Sequence, residues 1–359
     1  MAQRNRYAAL SEGAQEKGTR HNQVDRRRSG SDPSERWRGG RESRRPQGER
    51  AVPRWYQGGS DSDLTVATYN VLADAYAKGS FFPQVTRRSL QWDRRRKKLL
   101  ADYDALDADV LCLQEVDHYH EFHLPALRSR GYEGFLCQRT GHKTDGCAIF
   151  YKTSKLERVY AWEISFNALG DGKPELERNR FRTNNVCQVA CLRVVATGQL
   201  VCVGNAHLYW DPERDDVKVL QCELYARFAV AMASDPSEEP PRAPGHVASV
   251  ECRHPLIMVG DLNSVPGSRV HNYLSERFTS AYVAVTGAEP WCTNYRSTFQ
   301  GTLDYLFMGG AVRAVGVRPV PAQDVAEFAP CESTPSDHWP LAAHFNLQDP
   351  SGSAADGGG

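Results

Sequence analysis

The fold is decided by the stretch LIMVGDLNS, residues 256–264. Its four leading apolar residues predict a short buried strand that stops at Gly260. Successive side chains of an extended chain alternate between two faces, so Asp261 and Asn263 are expected to share one face just beyond the strand. Ligands bind α/β sheets at such strand ends. The alternative is an ordinary Asx turn leading into Pro266-Gly267, which needs no functional role.

Several other predicted strands also finish on polar side chains. Apolar runs of strand length end at Asn70, at Glu115 and at His207. A strand this apolar rarely ends on an acid for packing reasons, although Glu115 taken alone could be a surface turn residue. The predicted strands span residues 64–70, 109–115, 146–151, 186–195, 199–207, 256–260, 301–307 and 341–345.

Predicted helices lie between these strands. One runs over residues 92–106, with a basic face that is most simply a solvated surface, and another runs over 215–233 with one apolar stripe. A shorter helix ends near residue 274. Strands separated by helices, together with the antiparallel-looking pair 186–195 and 199–207, predict an α/β fold in which two packed mixed sheets are flanked by helices.

The ends of the chain differ from its middle in composition. Residues 1–52 are polar and rich in Arg, Gly and Ser, which predicts a disordered basic tail. The first 50 residues hold thirteen cations against seven acids, a net charge of +6, while the whole chain is neutral. We expect one catalytic domain over 53–348, with a Pro/Glu/Ser-rich surface loop at 234–255 and a Gly/Ser/Ala/Asp tail at 349–359.

The ten cysteines include no C-x-x-C pair, which argues against a zinc site made of cysteine. Cys112, Cys191 and Cys202 lie in apolar strand patterns and are predicted to be reduced, buried thiols of an intracellular protein. No secretory signal and no membrane-spanning run is apparent, so we expect a cytoplasmic protein that does not bind membranes, with the nucleus as the alternative compartment.

The strand-end polar residues form a chemically coherent set. Carboxylates and amides are the hard oxygen donors that Mg²⁺ or Mn²⁺ prefers. Clustered acids would repel one another without a cation, and two imidazoles beside them suit proton transfer and charge stabilisation at a phosphate. No phosphate-binding Gly-rich loop or dinucleotide fingerprint is present. The set comprises Asn70, Glu115, His207, Asp261, Asn263, Asp304, Asp337 and His338.

The ordered motifs resemble the endonuclease/exonuclease/phosphatase superfamily over roughly residues 62–347. Within it, NAHLYWDPERDDVKVLQ (205–221), DGCAIFYK (145–152) and CTNYRSTFQGTLDYLF (292–307) look like the deadenylase branch. That branch holds the carbon catabolite repressor type deadenylases, nocturnin, Angel and the 2′,5′-phosphodiesterases. The resemblance implies a DNase I-like, four-layer α/β sandwich with the site at one rim of two sheets.

The resemblance also implies roles for the strand-end residues. Glu115 would be the principal ligand of one or two Mg²⁺ ions, for which Mn²⁺ can substitute, with Asn70 and Asp337 nearby. Asp261 would position or deprotonate the attacking water, and Asn263 would hold the scissile phosphate. The remaining three would act on charge: His207 and His338 at the phosphoryl oxygens, and Asp304 by orienting His338.

Two further positions match an adenine slot in the poly(A)-specific members, namely Pro212 and Phe299. A proline ring and an aromatic face can sandwich a base, and stacking on an aromatic side chain contributes about 1–3 kcal/mol. As structural alternatives, Pro212 could simply begin a helix and Phe299 could belong to the core. Either Asn184 or Asn185 matches a substrate-contacting asparagine of the family, and Asn185 is our choice.

The function that this resemblance implies is Mg²⁺-dependent 3′→5′ shortening of mRNA poly(A) tails with release of 5′-AMP. The alternative keeps the site but changes the substrate, to the 2′-phosphate of NADP(H) or to 2′,5′-oligoadenylate. A catalytically silent RNA-binding module is disfavoured because the polar set is complete. RNA with an adenylated 3′ end is the expected partner. Leucine-rich repeats, which dock the repressor-type enzymes onto their scaffold, are absent, so protein partners stay open.

Overall fold

Two six-stranded β-sheets carry the fold in a computed structural model. The structure describes residues 62–245, 247, 252–323 and 327–348. The predicted tails at 1–52 and 349–359, the first residues of the predicted domain and part of the predicted loop at 234–255 lie outside the described residues. These domain boundaries therefore stay predictions.

The first sheet has the strand order β13-β14-β1-β2-β4-β3. Its strands β1 and β2 run parallel, and its other pairs are antiparallel. The strands are β1 (Leu64–Asn70), β2 (Val110–Gln114), β3 (Tyr132–Gln138), β4 (Gly146–Lys152), β13 (Val312–Val317) and β14 (Leu341–Leu347).

The second sheet has the order β5-β6-β7-β8-β12-β9. Here β7 and β8 are the parallel pair. The strands are β5 (Leu156–Ser165), β6 (Val186–Val194), β7 (Leu200–His207), β8 (Leu256–Asp261), β9 (Thr279–Ser280) and β12 (Asp304–Gly309). A separate two-stranded hairpin is formed by β10 (Asn294–Tyr295) and β11 (Gln300–Gly301).

Seven α-helices connect the strands in the described part of the chain. No helix among these residues is long and apolar enough to cross a membrane. The helices are α1 (Arg87–Leu90), α2 (Trp92–Leu106), α3 (Leu124–Arg128), α4 (Glu175–Phe181), α5 (Asp215–Ser234), α6 (Arg269–Ser275) and α7 (Ala281–Thr286).

Three apolar layers hold these elements together. One lies between the sheets, where Val66 of the first sheet and Val203 and Val259 of the second belong to the same buried cluster. The other two lie outside the sheets, one beneath α2 and α3 and one beneath α5 and α6. Full burial of one such side chain contributes about 1.5–3 kcal/mol. The arrangement is helix, sheet, sheet, helix, which confirms the predicted four-layer α/β sandwich.

The predicted apolar stripe of α5 packs as expected. Val217, Leu224 and Phe228 are fully buried against the second sheet, and Leu220 packs against the same cluster with partial exposure. The helix begins at Asp215 and ends at Ser234. It therefore packs across β6, β7 and β8 of the second sheet.

The strand register explains why polar residues meet at one rim. Asn70 lies opposite Gln114 in the parallel pair β1–β2, and His207 lies opposite Asp261 in the parallel pair β7–β8. Parallel strands end at the same edge of a sheet. Asp304 opens antiparallel β12 opposite Asp261, so that acid is delivered to the same edge.

The structure corrects where β8 ends. We predicted a strand that stops at Gly260, but β8 continues through Asp261. Gly260 has a φ of 150°, and a Cβ there would lie 2.0 Å from the carbonyl oxygen of Ala206. Glycine is required because the backbones of β7 and β8 approach too closely for a side chain.

The prediction of reduced thiols is wrong for two of the three cysteines. Cys191 and Cys202 form a disulfide, whereas Cys112 is free and buried. The pair lies directly opposite in antiparallel β6 and β7, with a Cα–Cα distance of 4.2 Å. The sequence pattern predicted both strands but not the register that places the two sulfurs side by side.

Candidate active site

Three non-glycine residues at the rim have left-handed backbone. Leu72, Glu115 and Asn263 have φ angles of 57°, 55° and 48°. They follow the ends of β1, β2 and β8. Such conformations cost of order 1–3 kcal/mol each and persist only where surrounding contacts hold them. Their convergence at one rim marks a candidate functional site.

Asp261 is the centre of this site. Its Oδ2 accepts a hydrogen bond from Asn70 Nδ2 at 2.9 Å, joining the two sheets. The same oxygen lies 3.6 Å from His207 Nε2 and 3.7 Å from His338 Nε2. Only 1% of Asp261 is exposed, and burial raises its pKa to about 7 against the opposing charge of His338. A buried carboxylate of this kind suits a general base near neutral pH.

Asn263 reaches the site by a different route from the one we predicted. Its left-handed backbone means that it does not continue the extended strand, so the alternation argument for a shared face with Asp261 was wrong. Instead, its backbone N–H donates to Asp261 Oδ1 at 2.9 Å, which is an Asx turn. Lys218 donates to its carbonyl oxygen at 2.9 Å. Asn263 thus forms an ordinary Asx turn and still lies next to Asp261 at the site.

Glu115 faces Asn70 from the first sheet. Its Oε1 accepts from Asn70 Nδ2 at 3.1 Å, and its Oε2 accepts from the backbone N–H of Ala73 at 3.0 Å. Burial raises the pKa of Glu115 to about 7, and the charges of Asp145 and Asp337 act in the same direction. Glu115 is thus a buried carboxylate with two further acids nearby.

This donor set fits a divalent metal ion. Glu115, Asn70 and Asp337 offer carboxylate and amide oxygens, which are hard ligands. Asp337 is 4% exposed and accepts from Asn294 Nδ2 at 3.2 Å, so its orientation is fixed. A bound cation would offset the burial of the Glu115 carboxylate and its repulsion by Asp145 and Asp337, which together raise its pKa. Glu115, Asn70 and Asp337 stay the predicted ligands.

Among the described residues, Asp261, Asp304 and His338 form the group of acids and histidines whose potential ligand atoms all lie within 4.8 Å of one another. Asp304 Oδ2, however, lies 2.7 Å from His338 Nδ1 in a charge-assisted hydrogen bond. Burial alone would lower the pKa of His338, but the carboxylates of Asp304 and Asp261 outweigh it and raise the pKa to about 10. This arrangement of an imidazolium between two carboxylates suits charge stabilisation by His338, with Asp304 orienting its ring.

The pKa of His207 shifts in the opposite direction to that of His338. Burial lowers its pKa well below the ordinary value, and the charges of Arg139 and His338 add to this effect. Its Nδ1 has no hydrogen-bond partner among the described residues. This downward shift favours neutral His207, whose Nε2 faces the Asp261 carboxylate while its Nδ1 is unpaired within the described chain.

The structure separates the two candidate asparagines. The side-chain oxygen of Asn184 is occupied by Thr140 Oγ1 at 2.8 Å and by Asn167 Nδ2 at 3.0 Å. Asn185 Nδ2 donates to the carbonyl oxygen of His207 at 3.0 Å, while its buried Oδ1 has no partner within the described chain. Asn185 therefore lies next to His207, and its contact with substrate stays a prediction.

Several supporting residues were missed by the sequence reasoning. Thr293 Oγ1 donates to Asp304 Oδ2 at 2.6 Å, and Ser336 Oγ donates to the carbonyl oxygen of Asn70 at 2.6 Å. Tyr76 and Arg139 both hold Asp145, at 3.1 Å and 3.3 Å. Thr293 and Asp145 lie inside two of the motifs that carried the resemblance, and Ser336 directly precedes Asp337, so these positions were the available signal.

Gln114 and Asn205 join the two sheets directly behind the site. Gln114 Nε2 donates to Asn205 Oδ1 at 2.7 Å. Asn205 Nδ2 in turn donates at 3.0 Å to the carbonyl oxygens of Leu113 and Ala148. All four residues are fully buried. Because Glu115 and Asp261 sit on different sheets, this polar contact fixes the separation of the two acids.

The structure shows where Pro212 and Phe299 lie, but no contact between them tests the predicted adenine slot. Pro212 opens a short 3₁₀ turn, Pro212–Arg214, just after β7. Phe299 lies in the loop of the β10–β11 hairpin, with its ring against Gly301, where a Cβ would lie 2.9 Å from Phe299 Cζ. Phe299 is half-buried. The pairing of the two rings around a base stays a prediction.

Comparison with known proteins agrees with this geometry. The model of the Endonuclease/Exonuclease/phosphatase family matches residues 67–338. Carbon catabolite repressor protein 4 homolog 4 of Arabidopsis thaliana is 32% identical over 332 residues, 79% of this chain and 77% of that protein. CCR4-NOT transcription complex subunit 6-like of Danio rerio is 30% identical over 360 residues, 80% of this chain and 63% of that one. The chain thus spans less than two thirds of the zebrafish relative.

Solved structures give the same result. ANGEL2, a 2′,3′-cyclic phosphatase in complex with adenosine-2′,3′-vanadate, has a TM-score of 0.68 at 25% identity, over 79% of this chain and 95% of that one. The human Nocturnin catalytic domain with bound sulfate has a TM-score of 0.61 at 22% identity, over 79% and 94%, and supports the fold. The chain therefore belongs to the endonuclease/exonuclease/phosphatase family, as a phosphodiesterase-type hydrolase of the branch that holds the carbon catabolite repressor type relatives.

Proposed function

We propose that this protein is an Mg²⁺-dependent 3′→5′ exoribonuclease that shortens poly(A) tails and releases 5′-AMP. RNA, through its adenylated 3′ end, is the proposed partner, and cytoplasm or nucleus is the proposed compartment. The relatives support this choice, since one of them is named a CCR4-Not complex 3'-5'-exoribonuclease subunit, from Mycosarcoma maydis, at 27% identity over 80% of this chain and 51% of its own length.

One observation carries the proposal. The Asp261 carboxylate lies within 3.7 Å of a neutral imidazole, His207, and a protonated one, His338, and it is bonded to Asn70. A base, a positive charge and a neutral ring nitrogen thus surround one small volume beside the Glu115 carboxylate. This set suits attack of water on a phosphodiester.

In the proposed reaction one bond to phosphorus forms and one breaks. Water adds to the phosphorus of the last phosphodiester while Asp261 accepts its proton, and the bond from phosphorus to the O3′ of the preceding nucleotide breaks. That O3′ takes up a proton from solvent and becomes the new terminal hydroxyl, and Asp261 returns its own proton to solvent. The His338 imidazolium offsets the negative charge that builds on the phosphoryl oxygens, and Asp304 holds its ring in place.

The remaining residues orient the substrate. Asn263 would bind the scissile phosphate, and Asn185 would contact the nucleotide through its unpaired Oδ1. Pro212 and Phe299 would sandwich the terminal adenine. A divalent ion held by Glu115, Asn70 and Asp337 supplies charge neutralisation at the phosphate when it is bound.

The test uses RNA substrates that differ only at the 3′ end. The purified protein should trim a 20-adenosine tail to 5′-AMP in Mg²⁺ and should trim a matched uridine tail much more slowly. Glu115→Ala should abolish turnover without loss of the folded state, which circular dichroism checks. Equal trimming of both tails would remove the poly(A) preference, and turnover by Glu115→Ala would remove the metal assignment.

A second candidate is a phosphatase acting on an adenosine 2′-phosphate, such as that of NADP(H), or a 2′,5′-oligoadenylate phosphodiesterase. The structural likeness to ANGEL2, whose structure holds adenosine-2′,3′-vanadate, favours an adenosine 2′-phosphate as ligand of this site. Release of phosphate from NADPH and of AMP from 2′,5′-linked triadenylate, measured beside AMP release from RNA, decides between the candidates. A substrate whose kcat/KM exceeds that of each of the other two by at least tenfold is the preferred substrate of the site.

A further inference from the structure

Arg95 is a fully buried arginine that the proposed chemistry does not use. It lies on α2, with 0% of its surface exposed, and is the largest fully buried side chain of the described residues. Burying a guanidinium costs several kcal/mol unless its donors are satisfied. Its Nη1 donates to the carbonyl oxygen of Leu72 at 2.8 Å, its Nη2 donates to the same oxygen, and Nη2 also reaches the carbonyl of Val71 at 3.5 Å.

The carbonyl that Arg95 holds belongs to a strained residue. Leu72 is left-handed, with a φ of 57°, although it is not glycine. Its own N–H donates to Asn70 Oδ1 at 3.0 Å. Arg95 therefore holds the backbone at the point where the chain leaves β1 in a conformation that leucine disfavours.

The strained turn aims consecutive N–H groups at two acids. Ala73 N–H donates to Glu115 Oε2 at 3.0 Å. The N–H groups of Asp74 and Ala75 both donate to Asp117 Oδ2, at 2.6 Å and 3.4 Å. Backbone donors that converge in this way bind anions. Here the anions are the two carboxylates that follow β2.

We propose that Arg95 is a positioning residue that sets the affinity of the site for its divalent cation by locking the turn at residues 71–75. The inference rests on the proposed function in one respect, namely that Glu115 is a metal ligand. Residues that orient metal ligands through hydrogen bonds commonly change metal affinity 10- to 100-fold when mutated. Arg95 acts one bond further out, through the backbone that orients Glu115.

The surroundings of Arg95 favour arginine over lysine. Its charge lies near the acids Asp74, Asp117 and Asp337, which compensate for its burial. Its guanidinium carbon lies 5.7 Å from the centre of the Trp92 ring. Two terminal nitrogens on one carbonyl require a planar fork, which a lysine ammonium does not provide. Arg95→Lys thus keeps the charge and removes the double contact.

The experiment measures Mn²⁺ binding by electron paramagnetic resonance in the full chain without substrate. Arg95→Lys should weaken Mn²⁺ binding about tenfold or more, and amide exchange should accelerate in peptides covering residues 71–75 but not in β6 or β7. At saturating metal, kcat should recover toward the wild-type value with KM for RNA unchanged. Arg96→Lys is the matched control, because Arg96 is the next residue of α2, is exposed, and pairs only with Asp93 within the described chain.

A folded Arg95→Lys variant with wild-type Mn²⁺ affinity would overturn the inference. If that variant does not fold, Arg95→Met tests the same contact, since methionine fills the buried space without a charge and without donors for the Leu72 carbonyl. Weaker Mn²⁺ binding by a folded Arg95→Met supports the inference, and unchanged binding overturns it. If the wild-type protein binds no Mn²⁺, the proposed metal site itself is refuted, and the inference falls with it.

Discussion

The Asp304–His338 contact makes a prediction about pH that can be worked from the structure. Asp304→Asn keeps the shape of the side chain and an oxygen for His338 Nδ1 but removes its charge. In the wild-type protein, a 2.7 Å charge-assisted bond and a second carboxylate, Asp261 at 3.7 Å, outweigh burial and raise the pKa of His338 to about 10. The imidazolium is then the form that meets the substrate phosphate.

The expected change in the pKa of His338 follows from these contacts. A pKa that rises from 6.5 to about 10 corresponds to about 5 kcal/mol of preference for the charged ring. Asp304 is the nearer of the two carboxylates, so removing its charge should cost roughly half of that preference or more. The pKa of His338 should then fall by about two units or more, into the range of ordinary assays.

The direction of the pH dependence follows from which protonation form of His338 is active. Activity that needs protonated His338 is present below its pKa and is lost as pH rises through that value. The wild-type rate should therefore rise as Asp261, whose pKa is about 7, loses its proton, and then stay level up to pH 9, whereas the rate of Asp304→Asn should decline above about pH 8. The loss in kcat at pH 7 should be about 10- to 100-fold, because the ring also loses its fixed orientation.

The assay is kcat/KM for A-tailed RNA between pH 6 and 9 at saturating metal, beside a titration of the imidazole by nuclear magnetic resonance. Asp104→Asn is the matched control, since Asp104 is a surface acid that pairs with Arg130 far from the rim. Asp304→Asn with a flat profile to pH 9, or with an unchanged His338 titration, would refute the electrostatic reasoning.

Three further predictions concern the adenine slot, the fold and its pH dependence. Phe299→Ala should reduce the preference for adenosine over uridine tails by about 1–3 kcal/mol, while Phe328→Ala, a partly exposed ring near Tyr295, should not; equal effects of both would remove the slot. Gly260→Ala should cost about 2–4 kcal/mol in urea unfolding because of the close Ala206 carbonyl, and a loss below about 0.5 kcal/mol would contradict that contact. His123 is buried with its pKa lowered to about 3, so the unfolded chain takes up a proton first as pH falls below about 6.5. The wild-type protein should then lose about 2 kcal/mol of stability between pH 7 and 5 through this group, and the loss should be absent in His123→Leu.

Much of the fold could be predicted because its strands are short, apolar and fully buried. The predicted strand over 64–70 coincides with β1, and the predicted helix over 92–106 coincides with α2. Strand β5 was missed, since its side chains are irregularly exposed and a bulge interrupts its pairing between Arg158 and Tyr160. Its pattern therefore lacks the clean alternation by which a half-buried strand is recognised.

The sequence predicted which residues meet at the site but not how the backbone arranges their side chains. Polar residues at the ends of apolar strands predicted the rim, and Asn70, Glu115 and Asp261 do meet there. The Asx turn at Asn263 and the disulfide between Cys191 and Cys202 depend on local backbone conformation and on register, which apolar periodicity does not determine. The contribution of Arg95 was hidden for the same reason, because its run of basic neighbours indicated a solvated face.

We propose that Asp261 is the base of a metal-dependent phosphodiesterase. This role is tested by single-turnover cleavage of a 3′-adenylated RNA by Asp261→Asn, at saturating Mg²⁺ and protein. The variant keeps the size of the side chain and a partner for Asn70, so RNA affinity should stay within about threefold while the rate falls about 10²–10⁴-fold. A rate within tenfold of the wild-type rate would exclude Asp261 as the base.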